Sequence, residues 1–262
     1  MRIDQALIKR EFFKTRTKAK EALLAGIVYY AGKEIKKPGF DVSDISLLEI
    51  RGNIMPYVSR GGLKLEKALL RFGIELKEKT VLDIGSSTGG FTDCALKNGA
   101  KKVIAVDVGS NQMDPDLRAL PAVALYEQTD FRDMDLSLIR EAQFASIDVS
   151  FISVRKMLDK LAQLPFLEEI VCLIKPQFEC GKEIADQYRG VIRNKQVHLT
   201  VLKDIVSAFS GYGFYCRGLT FSPIAGGSGN REYLACFTKT RNDVPPDFEG
   251  IVSQAFDEIP NR

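Results

Sequence analysis

Two charged residues stand at the ends of otherwise apolar runs: Asp148 closes FASID and Lys175 closes EIVCLIK. In an open parallel sheet the reacting groups lie beyond the carboxyl ends of the strands, so polar residues at such ends are read as functional. Pro176 holds Lys175 in an extended backbone. A lysine acts as a base only when neutral, so its reference pKa of about 10.4 must fall through burial or a neighbouring cation. Lys64, in SRGGLKLEKAL, is the candidate neighbour, although its spacing alone fits a solvated helix residue better. Glu232 opens an apolar run after the loop AGGSGNR, where a carboxylate can bind a substrate or orient a lysine, or equally be a surface charge.

A second constellation is the turn Asp83-Ile84-Gly85-Ser86-Ser87-Thr88-Gly89-Gly90-Phe91, between a strand-like run and a helix-like one. Glycines there let a ligand approach the backbone. A phosphate-binding loop needs Lys at position 91, which is Phe, and a dinucleotide fingerprint needs Gly at position 87, which is Ser. What remains is D-x-G-x-x-x-G, followed by Asp107 at the end of the next strand-like run. A carboxylate there can accept both hydroxyls of an adenosine ribose. The pattern resembles the S-adenosylmethionine site of Rossmann-like methyltransferases. That resemblance implies S-adenosyl-L-methionine as cofactor, with Asp83, Gly85, Ser86, Ser87, Thr88, Gly89, Gly90 and Phe91 around its methionine part and Asp130 near its adenine. The alternative is a glycine turn that only packs a helix on a sheet.

The elements that must position these residues alternate. After a helix from Leu63 to about Phe72 come TVLDIG, a helix after Phe91, KKVIAVDV, a strand over 122–126, FASIDVS, a helix near 154–164, EIVCLIKP, a helix containing His198, strands near 218–222 and 233–238, and an amphipathic C-terminal helix. Such alternation predicts a parallel sheet covered by helices on both faces. The first fifty residues differ: Ile3, Leu7 and Ile8 suit one helix, Ala19, Ala22 and Leu23 a second, and strand-like runs at 28–30 and 47–50 follow. The segment 51–59 reads as a linker. The expected division is 1–58 for a small accessory module and 59–262 for the catalytic domain.

Charge separates the same two parts. Residues 1–60 hold 12 Lys/Arg against 7 Asp/Glu, leaving 25 against 27 for the rest, so the positive balance is an N-terminal property that points to a polyanion. The opening MRIDQALIKR lacks the apolar core of a signal peptide. No apolar run is long enough for a membrane span, which predicts a cytoplasmic protein. Five cysteines without C-x-x-C spacing and a single histidine, His198, read as free thiols and a packing or surface residue; no metal site is expected.

Five blocks in order, YVSRGGLKL at 57–65, LDIGSSTGGFTD at 82–93, DVSFIS at 148–153, LIKPQFE at 173–179 and GNRE at 229–232, make the chain resemble the TlyA, or hemolysin A-like, family of ribosomal RNA (cytidine-2′-O)-methyltransferases. The N-terminal module resembles an S4 RNA-binding domain through Arg2-Ile3-Asp4, Leu7, TRTKA at 15–19 and AGIV at 25–28, with Thr15 and Ala31 where Ser and Asn are common. The implied fold is α/β, a Rossmann-like methyltransferase sheet with a small N-terminal α+β S4-like domain. The implied partner is ribosomal RNA or ribosomal subunits, gripped by Arg2, Lys9, Arg10, Lys14, Arg16, Lys18 and Lys20, whose bland alternative is a solvated helix face. The second domain resembles the FtsJ-like methyltransferases, whose lysine, aspartate, lysine, glutamate tetrad falls on Lys64, Asp148, Lys175 and Glu232. By that resemblance Lys175, tuned by Asp148 and Lys64, takes the proton of a ribose 2′-hydroxyl, and Glu232 positions the reacting groups.

Rival chemistries leave marks that can be checked. Base-amino methylation needs Asn/Asp-Pro-Pro-aromatic where the chain has Asp148-Val149-Ser150-Phe151, and carbon-5 methylation needs a Pro-Cys nucleophile that Cys172 and Cys180 do not provide. The lytic activity implied by the name hemolysin finds no span or strongly amphipathic basic helix. A noncatalytic RNA-binding factor that kept the fold is the other alternative.

Overall fold

The computed structural model describes residues 1–13, 15–52, 55–242 and 244–259. They form two compact units, Met1–Pro56 and Tyr57–Arg262.

In the first unit, helices α1 (Ile3–Lys9) and α2 (Arg16–Leu24) lie with the short strands β1 (Val28–Tyr30), β2 (Lys33–Glu34) and β3 (Leu48–Ile50), ordered β2-β1-β3 and antiparallel. Ile3, Leu7, Ala19, Leu23, Val28 and Leu48 form its buried core. Thr15 caps α2 by accepting from the Lys18 N–H at 3.3 Å. That is the role a serine would fill. The turn between β1 and β2 puts Ala31 at φ 49° and Gly32 at φ 76°. Left-handed backbone suits Gly and Asn, so Ala31 holds this tight turn at a cost of roughly 1–2 kcal/mol.

The second unit contains α3 (Gly61–Phe72), β4 (Thr80–Ile84), α4 (Gly90–Lys97), β5 (Lys102–Val106), α5 (Pro115–Arg118), β6 (Val123–Tyr126), β7 (Phe144–Ile147), α6 (Leu158–Ala162), β8 (Glu169–Ile174), α7 (Pro176–Glu179), α8 (Lys182–Gln187), α9 (Lys195–Gly211), β9 (Tyr215–Phe221), β10 (Tyr233–Thr238) and α10 (Phe248–Glu258). Its seven strands run β6-β5-β4-β7-β8-β10-β9. Two apolar layers, one on each face, cover it: β4 sends Leu82 and Ile84 to one and Val81 to the other. That is why the central strands read as continuous apolar runs.

One expectation is corrected. The sheet is parallel only as far as β8; β10 runs antiparallel to both β8 and β9. The reason is local: β9 and β10 are joined by a loop without a helical crossover, and such a connection reverses the chain. β10 then slots between β9 and β8. Strand β9 also begins at Tyr215, ahead of the expected 218, its pairing with β10 carried through a bulge at Cys236/Phe237. The helix expected near 154–164 is a 3-10 turn, Val154–Met157, continued by α6.

Tyr57 and Val58, placed before the expected boundary, pack with the second unit: the Tyr57 ring is buried and the Val58 N–H donates to Asp93 at 2.8 Å. Glycines explain the SRGG block beside them. A Cβ on Gly62 would stand 2.3 Å from the Tyr57 ring, and one on Gly90 would stand 2.3 Å from Ser59 Oγ and 2.9 Å from the Gly62 nitrogen. Only glycine lets α3 cross the start of α4 this closely. His198 is fully buried: its Nε2 meets the Ile192 carbonyl at 3.0 Å and its Nδ1 the Tyr233 hydroxyl at 2.7 Å. A carbonyl only accepts, so Nε2 carries the proton and Nδ1 accepts from Tyr233. All five cysteines are free.

Candidate active site

Helix α3 is amphipathic and turns Lys64 inward with Leu65, Ala68 and Leu69; Gly73 in the left-handed region ends it. Lys64 Nζ reaches the Glu232 carboxylate, 168 positions away, at 2.6 Å. Lys175 sits at the cap of α7 in extended backbone. The proline after it requires that conformation. Its Nζ meets Asp148 at 2.5 Å and Ser150 Oγ at 3.0 Å. The register of β8 and β10 relates the two pairs: Tyr233 opposes Ile174, so one position further Glu232 comes opposite Lys175. Cross-strand neighbours share a face, and both lysine–carboxylate pairs therefore collect at one end of the sheet. Side-chain exposures of 11% for Lys64, 4% for Glu232 and 9% for Lys175 take these charges largely out of water.

Asp148, of the Lys175 pair, borders a cavity of about 320 Å³. That size suits a small-molecule ligand. Gly85, Ser87, Asp107, Asp130 and Asp148 line it, together with Phe131, Phe151 and Met157. A Cβ on Gly85, at φ 84°, would stand 2.5 Å from the Asp148 carbonyl oxygen. Glycine is what lets the turn approach the end of β7. Asp107 accepts from the N–H groups of Ser87 at 2.8 Å and Gly109 at 2.7 Å. These bonds fix its carboxylate and leave lone pairs for a ligand's hydroxyls. Asp130 is held by Arg132, whose hydrogen bonds lower its pKa below the ordinary carboxylate value.

Other residues expected at the cofactor stand behind the turn. Asp83 is fully buried and accepts from Thr92 Oγ1 at 2.7 Å and Ser146 Oγ at 3.0 Å. Burial pushes its pKa up to about 6, and the two hydroxyls oppose the rise. One bond on each oxygen ties β4 to α4 and β7, and Asp83 is absent from the cavity lining. Phe91 belongs to the apolar core, and Ser86 is buried outside the cavity lining. Thr88, Gly89 and Gly90 are likewise absent from the lining; Gly89, at φ 90°, caps α4.

Sequence reasoning missed several residues. Phe151 is 91% exposed, adopts φ 64° and lies 5.0 Å from the Phe178 ring at the cavity edge. Ser150 bonds Lys175. Asn230 and Arg231 are structural, bonding Ile192 and Gly190 in one case and the Ala255 carbonyl in the other. The signal for Phe151 was available, since it is an aromatic residue three positions after Asp148, just beyond the end of β7.

In the first unit, Lys9, Arg10, Arg16 and Lys20 are exposed and Lys18 is half-buried, 3.8 Å from Glu21. Lys14 lies outside the described residues. Arg2 and Arg16 are oriented by Asp4, a carboxylate with no exposed side-chain surface, at 3.3 and 2.8 Å. Burial alone would raise the Asp4 pKa, but the hydrogen bonds and charges of Arg16 and Arg2 leave it lowered.

The strand order, the glycine turn with Asp107 beyond it and the charged pairs at the strand ends define a Rossmann-like methyltransferase fold. Residues 57–239 match the FtsJ-like methyltransferase family and residues 1–44 the S4 domain. The chain is 48% identical over 236 residues to YqxC of Bacillus subtilis (strain 168), covering 89% of this chain and 84% of that one. It is 34% identical over 265 residues to the 16S/23S rRNA (cytidine-2′-O)-methyltransferase TlyA of Mycobacterium tuberculosis (strain CDC 1551 / Oshkosh), covering 99% and 98%. A solved structure of a hemolysin-named protein from Streptococcus thermophilus is 43% identical, with a TM-score of 0.76 over 98% of this chain and 96% of that one. The chain belongs to the TlyA family of FtsJ-like methyltransferases with an N-terminal S4 domain. Among the described residues no helix is long and apolar enough to cross a membrane.

Proposed function

We propose that this protein transfers a methyl group to the 2′-hydroxyl of a cytidine in ribosomal RNA. The observation that carries the reading is the pair of buried lysine–carboxylate contacts, Lys175–Asp148 and Lys64–Glu232, at one end of the sheet, with Asp148 itself lining the cavity that Asp107 also lines. The residues fit S-adenosyl-L-methionine: a turn whose Gly85 and Ser87 form the cavity wall, a fixed carboxylate for ribose hydroxyls, and Phe131 and Met157 with Asp130 for an adenine. Bound there, that cofactor would supply an electrophilic methyl on a sulfonium.

The chain's own part is positioning and proton transfer. Asp148 and Ser150 hold Lys175 Nζ at the strand end, where the amine, once it has released its own proton to solvent, can take the proton of a hydroxyl as that oxygen attacks. Glu232, held by Lys64, offers a carboxylate to orient the ribose or the lysine. Phe151 presents an aromatic face on which an unstacked base can lie, the mode by which single-stranded RNA is usually read. On the S4 domain, the exposed cations of α1 and α2 supply phosphate contacts. Identity with a relative named as a 16S/23S rRNA (cytidine-2′-O)-methyltransferase over nearly the whole chain supports both the substrate class and the hydroxyl.

The test is transfer of radiolabelled methyl from S-adenosylmethionine to isolated small and large ribosomal subunits, by wild type and Lys175→Ala, with mapping of the labelled nucleoside. The expected product is 2′-O-methylcytidine, absent with the variant. Label on neither subunit, with cofactor binding intact in calorimetry, overturns the reading.

A further inference from the structure

The segment Asp148–Val154 carries the carboxylate of the first lysine pair, the hydroxyl that bonds Lys175 and the exposed Phe151 ring, and it lines the cavity. Nothing in its local sequence makes it rigid. Phe151 is instead in left-handed backbone, a conformation that disfavours a bulky L-residue and persists only where the surroundings impose it. The segment is pinned at one end by the Asp148 N–H to the Ile84 carbonyl at 2.9 Å and by Lys175. Its other end is held by a side chain: Glu179, on the turn of helix that follows Lys175, accepts from Ser153 Oγ at 2.6 Å and from the Val154 N–H at 2.8 Å. Glu179 is 7% exposed, and burial raises its pKa while these two bonds oppose the rise. An otherwise costly buried carboxyl that spends both oxygens on one loop is explained by what the loop carries.

We propose that Glu179 is a positioning residue for the transfer site, clamping the far end of the Asp148–Val154 segment to the same turn that bears Lys175, so that lysine, aspartate and the Phe151 ring keep one geometry. This rests on the reading that Lys175 and Asp148 serve methyl transfer. Misplacement by about 1 Å costs on the order of 100-fold in rate, so loss of the clamp lowers kcat. A glutamine keeps one acceptor and restores part of it.

Two readouts test the clamp. The chain contains no tryptophan, so Phe151→Trp installs a single indole on the segment, excited at wavelengths that the eight tyrosines do not absorb. Its anisotropy is expected to fall when Glu179→Ala is added and to fall less with Glu179→Gln. In subunit methylation by chains retaining Phe151, Glu179→Ala is expected to lose roughly 10- to 100-fold in kcat, with Glu179→Gln and Ser153→Ala intermediate. Leu164→Ala, a core truncation outside both the Asp148–Val154 segment and the turn bearing Glu179, controls for lost stability. A kcat loss no larger than that of Leu164→Ala at equal loss of Tm, or an unchanged anisotropy of the introduced indole, overturns the proposal. If Glu179→Ala does not fold, Glu179→Gln and Ser153→Ala carry the same comparison. If wild type labels no subunit the proposed function fails, while the anisotropy still decides whether Glu179 anchors the segment.

Discussion

The two domains use the same residue types in opposite ways. In the S4 domain the lysines and arginines of α1 and α2 are largely exposed, and the carboxylate of Asp4 is buried to orient Arg2 and Arg16. In the methyltransferase domain Lys64 and Lys175 are themselves buried and each meets a carboxylate. Exposed charges act over a Debye length of about 8–10 Å, are screened by salt and tolerate substitution one at a time. Buried ones act only on what they touch and are costly when a partner is lost. One arrangement suits a polyanion of variable geometry, the other a single reacting atom.

The largest test of this contrast is Lys175→Ala, expected to lower methyl transfer by about 10²–10⁴-fold while cofactor affinity stays within a few-fold. An equal loss of cofactor binding would make Lys175 a binding group instead. Next is Glu232→Ala. Leaving Lys64 buried without its carboxylate is expected to cost roughly 3–5 kcal/mol in urea unfolding, with partial recovery in Lys64→Met/Glu232→Leu. A single-variant loss below about 1 kcal/mol would put that pair in the surface class.

A neutral buried group extends the comparison. Burial lowers the His198 pKa to about 4, with the Ile192 carbonyl opposing and Arg231 adding to the shift. Between about 4 and the unfolded value near 6.5 the unfolded chain binds more protons, so the stability His198 contributes is full above about 6.5 and is lost as pH falls through about 4. The loss amounts to about 3 kcal/mol at most. Urea midpoints at pH 7.5 and 5 should differ more for wild type than for His198→Gln; parallel shifts would assign the acid limb elsewhere. The smallest effect belongs to the surface. Arg16→Gln with Lys18→Gln is expected to weaken RNA binding several-fold and to flatten the log–log salt dependence by about 1–2, with cofactor affinity intact. An unchanged slope would remove these residues from the RNA contact.

Much of the scaffold was legible because it is local. Apolar runs bounded by Gly, Pro or a charge located β4, β7 and β8, and 3.6-residue periodicity located α3 and α10. The reversal of β10 was not, since an apolar strand reads alike in either direction. The candidate site was legible in part: Asp107 and Asp130 line the cavity as their strand-end positions implied, whereas Asp83 and Phe91 face inward, and a turn's spacing does not tell which side chains point to ligand and which to core. Glu179 went unread because a carboxylate one turn after a proline looks like any solvated helix end.

By itself the sequence determined the kind of protein: the order of its elements, a glycine turn followed by an acidic strand end, a basic N-terminal module and the five motif blocks. Only the tertiary structure decided the partnerships. Lys64 meets Glu232 across 168 positions, Arg16 turns to Asp4, and Glu179 closes on Ser153 and Val154. The physical reason is that these contacts follow from sheet register and helix packing, which are set by burying two apolar layers at once rather than by any stretch of chain read alone.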